Sequence, residues 1–235
     1  MFAFTVKAFA CTASFRVPEC HTFQITLPLP PVTTLTGLMG AAMGLSFEKA
    51  MEFREQEGIR FGVIGSYEGE MRDLWKYNKV KSGETLKDVL IREYLTDYSL
   101  TIIIGSEKRN ALSQVRDGFE KPRYALTAGN SDDLLKICNI SNIKIAETTE
   151  MTDFENTILS ADEDFQYDPS IDLKTAPITE SIRAPQVHLL PVSFTFKGEE
   201  RRVSKREQFF FVVSPIKLKK PVPAYNVDHI GVVLL

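Results

Sequence analysis

The chain has 235 residues, 43% of them hydrophobic and 25% charged, with a formal net charge of −3 at pH 7. That length buries a substantial core, and the composition is that of a globular protein rather than a fibrous or disordered one. No segment reaches the roughly 20 apolar residues that span a bilayer, and the N-terminus enters apolar residues without a basic run, so a cytoplasmic protein with no secretory leader or membrane contact is expected.

In chain order, "FAFTVKAFACTASF" (2–15) is rich in β-branched and aromatic residues and partly alternating, which predicts a first strand. "PLPPVTTLTGLMGAAMGL" (28–45) predicts a helix whose start is fixed by Pro30 and Pro31, with Thr33 or Thr34 as N-cap. Gly37, Gly40 and Gly44 follow at spacings of three and four and share one face. Each glycine costs about 1 kcal/mol relative to Ala inside a helix. A bare face lets the helix lie very close to a sheet or an RNA backbone, and the free N–H groups of its first turn suit phosphate oxygens.

"SFEKAMEFREQEG" (46–58) predicts a second helix between an N-cap at Ser46 and a C′ residue at Gly58. Strands follow at 59–69 and 98–106, the second marked as central by its isoleucines, and a helix at 107–119 spaced by Ala111, Leu112, Val115 and Phe119. A short strand at 123–129, a helix at 130–137 capped by Asn130 or Ser131, and a strand at 140–148 are expected next. After Pro185, two long antiparallel strands flank a charged turn at 198–206, and "HIGVVLL" closes the chain as a last strand. The order implies an α+β, ferredoxin-like core over 1–148, an acidic loop region over 149–184 and a C-terminal antiparallel β region over 185–235.

Charge is uneven along the chain. Residues 147–168 hold eight carboxylates and no Lys or Arg, so the rest of the chain is mildly basic and compatible with nucleic acid. Between two strands, "RDLWKYNKVKSGETLK" (72–87) interleaves Arg72, Lys76, Lys79 and Lys81 with Trp75 and Tyr77. Such a segment suits backbone contacts with base stacking on single-stranded RNA, and it equally suits a solvated hairpin. The basic clusters at 197–207 and 217–220 can hold phosphates as point charges or serve as solvated strand edges.

Chemistry has few candidates. The sequence has three histidines and no His-Glu-x-x-His, Gly-x-Ser-x-Gly or phosphate-loop motif. Cys11, Cys20 and Cys138 form no Cys-x-x-Cys pair and read as small buried hydrophobes, so no metal or other cofactor and no small-molecule substrate is expected. Metal-independent RNA cleavage needs a base near the 2′-hydroxyl, for which His21 is best placed; His188 and His229 fall in predicted strands.

Three segments carry a resemblance. Pro30, Pro31, Thr33, Thr34, Gly37, Leu38, Gly40, Ala41, Ala42, Gly44 and Leu45 are similar to a Pro-Pro-x-Thr-Thr-x-x-Gly-Leu-x-Gly-Ala-Ala-x-Gly-Leu signature. "IREYLTDYSLTIII" (91–104) and "KPRYALTAGNSDDLL" (121–135) follow in the expected order. Together they resemble the fifth CRISPR-associated protein family of the RAMP superfamily, most closely its type I-B or I-A branch. The resemblance implies an RRM-like ferredoxin domain with a thumb hairpin, here about 67–87. It also implies a subunit of a Cascade complex that caps the crRNA 5′ handle and contacts the backbone and large subunits. One branch of the family cuts precursor crRNA with Tyr, Lys and His residues, a set without a clear counterpart here. The expected function is therefore non-catalytic RNA binding through Arg16, Thr33, Thr34, Arg72, Trp75, Lys76, Tyr77, Lys79 and Lys81, with a metal-independent endoribonuclease as the alternative.

Overall fold

Strand β1 (Phe2–Ala13) alternates as a sheet strand must, sending Phe4, Val6, Ala8 and Ala10 into one core and Ala3 toward another. The computed structural model describes residues 1–20, 23–81, 84–160, 166–169, 183–198 and 200–235. Three two-residue strands follow, β2 (Phe15–Arg16), β3 (Phe23–Gln24) and β4 (Thr26–Leu27), and then helices α1 (Val32–Met43) and α2 (Phe47–Gln56). Ser46 caps α2 by accepting from the Lys49 N–H at 3.3 Å.

β5 (Arg60–Ser66), β6 (Gly69–Lys81) and the 23-residue β7 (Glu84–Ser106) lead to α3 (Arg109–Glu120), whose Ala111, Leu112, Val115 and Phe119 are buried as their spacing requires. β8 (Lys136–Ile140), β9 (Lys144–Ile145), β10 (Glu147–Phe154), β11 (Thr157–Ser160) and β12 (Tyr167–Pro169) are short. β13 (Gln186–Lys197), β14 (Glu200–Val212), β15 (Ile216–Val227) and β16 (Ile230–Val232) complete the chain.

The main sheet has ten described strands, in the order β13-β14-β11-β5-β7-β1-β8 with β3, β6 and β9 paired at its flanks. Its centre, β5-β7-β1-β8, is antiparallel throughout, with α1 and α2 between β1 and β5 and α3 between β7 and β8. The helices cover one face, around Phe4, Phe61, Ile102, Ile104 and Met39. Each such side chain stabilises the fold by roughly 1.5–3 kcal/mol through burial. A second sheet, β10-β15-β12 with β16, closes the other face through Ala3, Ile103, Val227, Val232 and Leu234. Gly62 and Gly105 make this approach possible: a Cβ on either would lie 2.8 Å from Val232 or Leu234.

Several sequence expectations need correction. Residues 130–137 are not a helix and 123–129 not a strand. Their backbone folds back on itself instead, Ala128 N–H donating to Asp133 O at 2.7 Å and Leu135 N–H to Leu126 O at 2.8 Å, after which β8 joins β1. Asp133 is drawn inward to accept from Thr12 Oγ1 at 2.5 Å rather than sitting on a helix dipole. The acidic run is no loop over 147–160: β10 pairs with β15, and β11 bridges β14 and β5. β14 runs straight through 200–206, so those residues are strand rather than the expected charged turn. Asp228 and His229, both at positive φ, form the tight turn between β15 and β16, so His229 is not in a strand. Cys11 and Cys138 are exposed and Cys20 half-buried, because Cys11 and Cys138 lie on strand positions that face away from the core.

The glycine face of α1 also differs from expectation. Gly40 lies against α2, where a Cβ would sit 2.8 Å from the Ala50 Cβ, and Gly37 lies under the Phe47 ring. Gly44 is outside the helix as its C-cap, at φ 77°. The bare face serves helix–helix packing.

Candidate nucleic-acid interface

α1 begins abruptly because Pro31 occupies the N-cap position and offers no side-chain cap; neither Thr33 nor Thr34 is the N-cap, both lying inside the first turn. Thr34 and Leu35 N–H donate to Pro31 O at 2.8 and 3.1 Å, which leaves the N–H groups of Val32 and Thr33 without a partner in the helix. The half-buried hydroxyl-bearing side chains of Thr33 and Thr34 line a cleft of about 400 Å³, together with Arg16 from β2, Phe47 from α2 and Phe194, Arg201 and Arg206 from the β13–β14 hairpin.

Arg201 is the centre of this cleft. Its guanidinium carbon lies 5.0 Å from the Phe47 ring and 5.0 Å from the Phe194 ring, and the two rings meet edge-on at 5.5 Å. Antiparallel pairing places Arg201 opposite Phe196, which adds a third ring beside Phe47. Two aromatic faces hold the guanidinium in place; among the described residues neither Arg201 nor Arg16 has an ion pair, and Arg16 donates to the Cys20 carbonyl at 3.4 Å. Arg206 is instead held by Glu19 at 2.8 Å. A helix N-terminus, two hydroxyls and two guanidinia without an ion pair among the described residues thus converge on one concavity, an arrangement that suits phosphate oxygens.

β6 and β7 form a hairpin in register from Gly69↔Thr96 to Lys81↔Glu84, longer than the 67–87 expected, and strand alternation divides its candidate residues. Trp75 and Tyr77 stack on one face at 5.9 Å, with Arg92 over the indole at 5.8 Å. Arg72 and Lys76 lie on the opposite face beside exposed Leu74, Val89 and Ile91. The cations are also less available than the sequence implies. Arg72 pairs with Glu93 at 2.8 Å and lies over the Phe23 ring, while Arg92 pairs with Asp73 at 2.8 Å and Asp132 at 3.1 Å. The hydrogen bond to Asp73 raises the Arg92 pKa, and the bond that Tyr77 donates to Asp88 raises that of Tyr77. Lys76 is exposed; the side chains of Lys79 and Lys81 lie outside the described residues.

At the hairpin base, Tyr67 donates to Glu70, which also pairs with Arg183; burial first, and then Glu70, push the Tyr67 pKa up to about 12. His21 lies outside the described residues. His188 is half-buried against Phe211, ring centroids 5.5 Å apart, and burial lowers its pKa. Among the described residues no group of three or more His, Cys, Asp or Glu could hold a metal, and no helix is long and apolar enough to cross a membrane.

The structure thus gathers Arg16, Thr33 and Thr34, keeps Trp75 with Tyr77, and separates Arg72 and Lys76 from them. Arg201 falls within the 197–207 cluster that the sequence offers as a phosphate holder or a solvated edge, its three glutamates masking it in the charge count; Phe47 and Phe194 were missed, because only the tertiary pairing of α2 with the β13–β14 hairpin brings the rings around Arg201.

The family model described as CRISPR-associated protein (Cas_Cas5) matches residues 5–165. The chain belongs to this family. Among solved structures, a chain of a "CRISPR RNA-guided surveillance complex" is 14% identical with a TM-score of 0.56, the match covering 94% of this chain and 91% of that one. A CRISPR protein from Archaeoglobus fulgidus is 9% identical with a TM-score of 0.52, covering 99% and 98%. A third, titled "Crystal structure of Cas protein", is 18% identical with a TM-score of 0.38, and the match spans 55% of this chain and 57% of that one. No curated protein matches the chain. The Cas5 chain therefore shares an α+β fold, mostly strands with three described helices, with the first two structures.

Proposed function

We propose that this Cas5 chain is a non-catalytic crRNA-binding subunit of a type I Cascade complex that caps the 5′ handle and contacts the backbone and large subunits. Family membership supports the CRISPR setting, and the likeness to a chain of an RNA-guided surveillance complex supports assembly with RNA. The central strand order β5-β7-β1-β8 supports reading the core as a ferredoxin-like, RRM-like domain, and the β6–β7 hairpin as its thumb. The observation that carries RNA binding is Arg201, held between Phe47 and Phe194 with Arg16, Thr33 and Thr34 around the same cleft.

The cleft gathers donors for phosphate: among the described residues that line it there is no histidine, and the two cations without an ion pair are guanidinia, which stay protonated. Incubating the purified protein with handle-bearing repeat RNA in EDTA tests the reading in one experiment. RNA retained intact is expected; specific cleavage within the repeat, lost in His21→Ala, would establish the nuclease alternative instead.

A further inference from the structure

Three arginines line the α1 cleft, and among the described residues one of them, Arg206, has an ion pair. Its Nη1 lies 2.8 Å from the Glu19 carboxylate and 3.3 Å from the Leu189 carbonyl. Glu19 comes from a turn that Cys20 N–H closes on Val17 O at 3.1 Å, and Val17 N–H ties the base of the turn to Ile25 O at 2.9 Å. Pro18 of the same turn lines the cleft, and the Cys20 carbonyl accepts from Arg16 at 3.4 Å. One short turn thus reaches two of the three arginines.

Fold stability does not account for the pair. The Glu19 side chain is 58% exposed and that of Arg206 37%, and exposed ion pairs of this kind add little to stability. The effect falls on the cleft instead. A carboxylate at its rim cancels the charge of one guanidinium, and it accepts from that guanidinium as a phosphate oxygen would.

We propose that Glu19 is an internal competitor of the RNA backbone: its carboxylate stands in for a phosphate on Arg206 and must release that side chain before RNA engages all three arginines. The proposal rests on reading the cleft as an RNA interface. Arg16 and Arg201 have no such competitor among the described residues, so they supply the first contacts, and Arg206 joins only at the expense of its bond to Glu19. Glu19 thereby holds the affinity of the cleft below that of three arginines without a carboxylate partner.

The test is filter binding of handle-bearing repeat RNA to the full chain at one low salt concentration, for the wild type, Glu19→Gln, Arg206→Ala and the double variant. Glu19→Gln keeps the shape of the side chain and removes its charge. It should tighten RNA binding by about two- to fivefold, the range set by releasing one exposed ion pair. In the Arg206→Ala background the same substitution should bring no gain, and the melting of all four proteins should match. Weaker or unchanged binding by Glu19→Gln would overturn the proposal, weaker binding meaning that Glu19 aims Arg206 at the RNA. An equal gain with and without Arg206 would also overturn it, since Glu19 would then act by general repulsion. Arg16→Ala combined with Arg201→Ala separates the two levels. Full RNA affinity in that variant removes the cleft reading and this proposal together, whereas lost affinity there beside an unchanged Glu19→Gln removes the competitor role alone.

Discussion

Gly40 of α1 and Ala50 of α2 meet so closely that a Cβ added to the glycine would lie 2.8 Å from the Ala50 Cβ. The contact couples two things the cleft needs. It sets α2 beside α1, and so brings Phe47, the first residue of α2, next to the first turn of α1 and over Arg201.

Gly40→Ala should therefore destabilise the protein by about 1–2 kcal/mol, overpacking outweighing the gain in helix propensity. Gly37→Ala meets only the Phe47 ring at 3.8 Å, an ordinary contact, and should be neutral or stabilising by up to about 1 kcal/mol. Urea unfolding of both variants checks the contrast; equal effects would remove the close-packing account of Gly40.

Acid sensitivity has two opposed contributors. The hydrogen bond from Lys144, 2.5 Å away, holds the Asp228 pKa below its ordinary 3.8, so its stabilisation is present above that value and lost as pH falls through and below it. Burial pushes the Asp133 pKa up, so its protonated form is favoured and stability is lost as pH rises above 3.8. Unfolding followed between about pH 5 and pH 2 should show a shallower acid loss in Asp228→Asn. Asp133→Asn should gain on the wild type as pH rises across the same interval.

On the hairpin, the stacked pair is the part placed to meet bases. Trp75→Ala with Tyr77→Ala should weaken single-stranded RNA by about 1–3 kcal/mol per base stacked. Lys76→Ala, on the opposite face, should change affinity little. Filter binding of the variants decides this, and a larger loss from Lys76 than from the aromatic pair would reverse the assignment.

What the sequence disclosed follows the range of the forces involved. α2 and α3 were readable because Ser46, Gly58 and the Ala111, Leu112, Val115 and Phe119 spacing are local signals, and β1 and the 98–106 end of β7 because their apolar runs suit a buried sheet, whereas the 84–97 half of β7 has no such run. "NSDDLLKI" carries a good helix-start pattern, yet long-range pairing of β8 with β1 and the Thr12–Asp133 bond override it. The hairpin's charge was not legible: cross-strand pairing sets Glu93 on Arg72 and Asp73 on Arg92, and Asp132 reaches Arg92 from outside the hairpin. For the cleft, Arg16, Thr33 and Thr34 were on hand in the sequence, whereas the Arg201 clamp depends on residues 47 and 194 meeting in space.

The salt dependence of handle-RNA binding tests the central claim most directly, in the wild type against Arg16→Ala combined with Arg201→Ala. Loss of two phosphate contacts should reduce the slope of log K against log[salt] by about 1.4 in magnitude, at about 0.7 per contact for a single strand, with weaker binding at every salt concentration. A double variant with the wild-type slope and affinity would contradict the account.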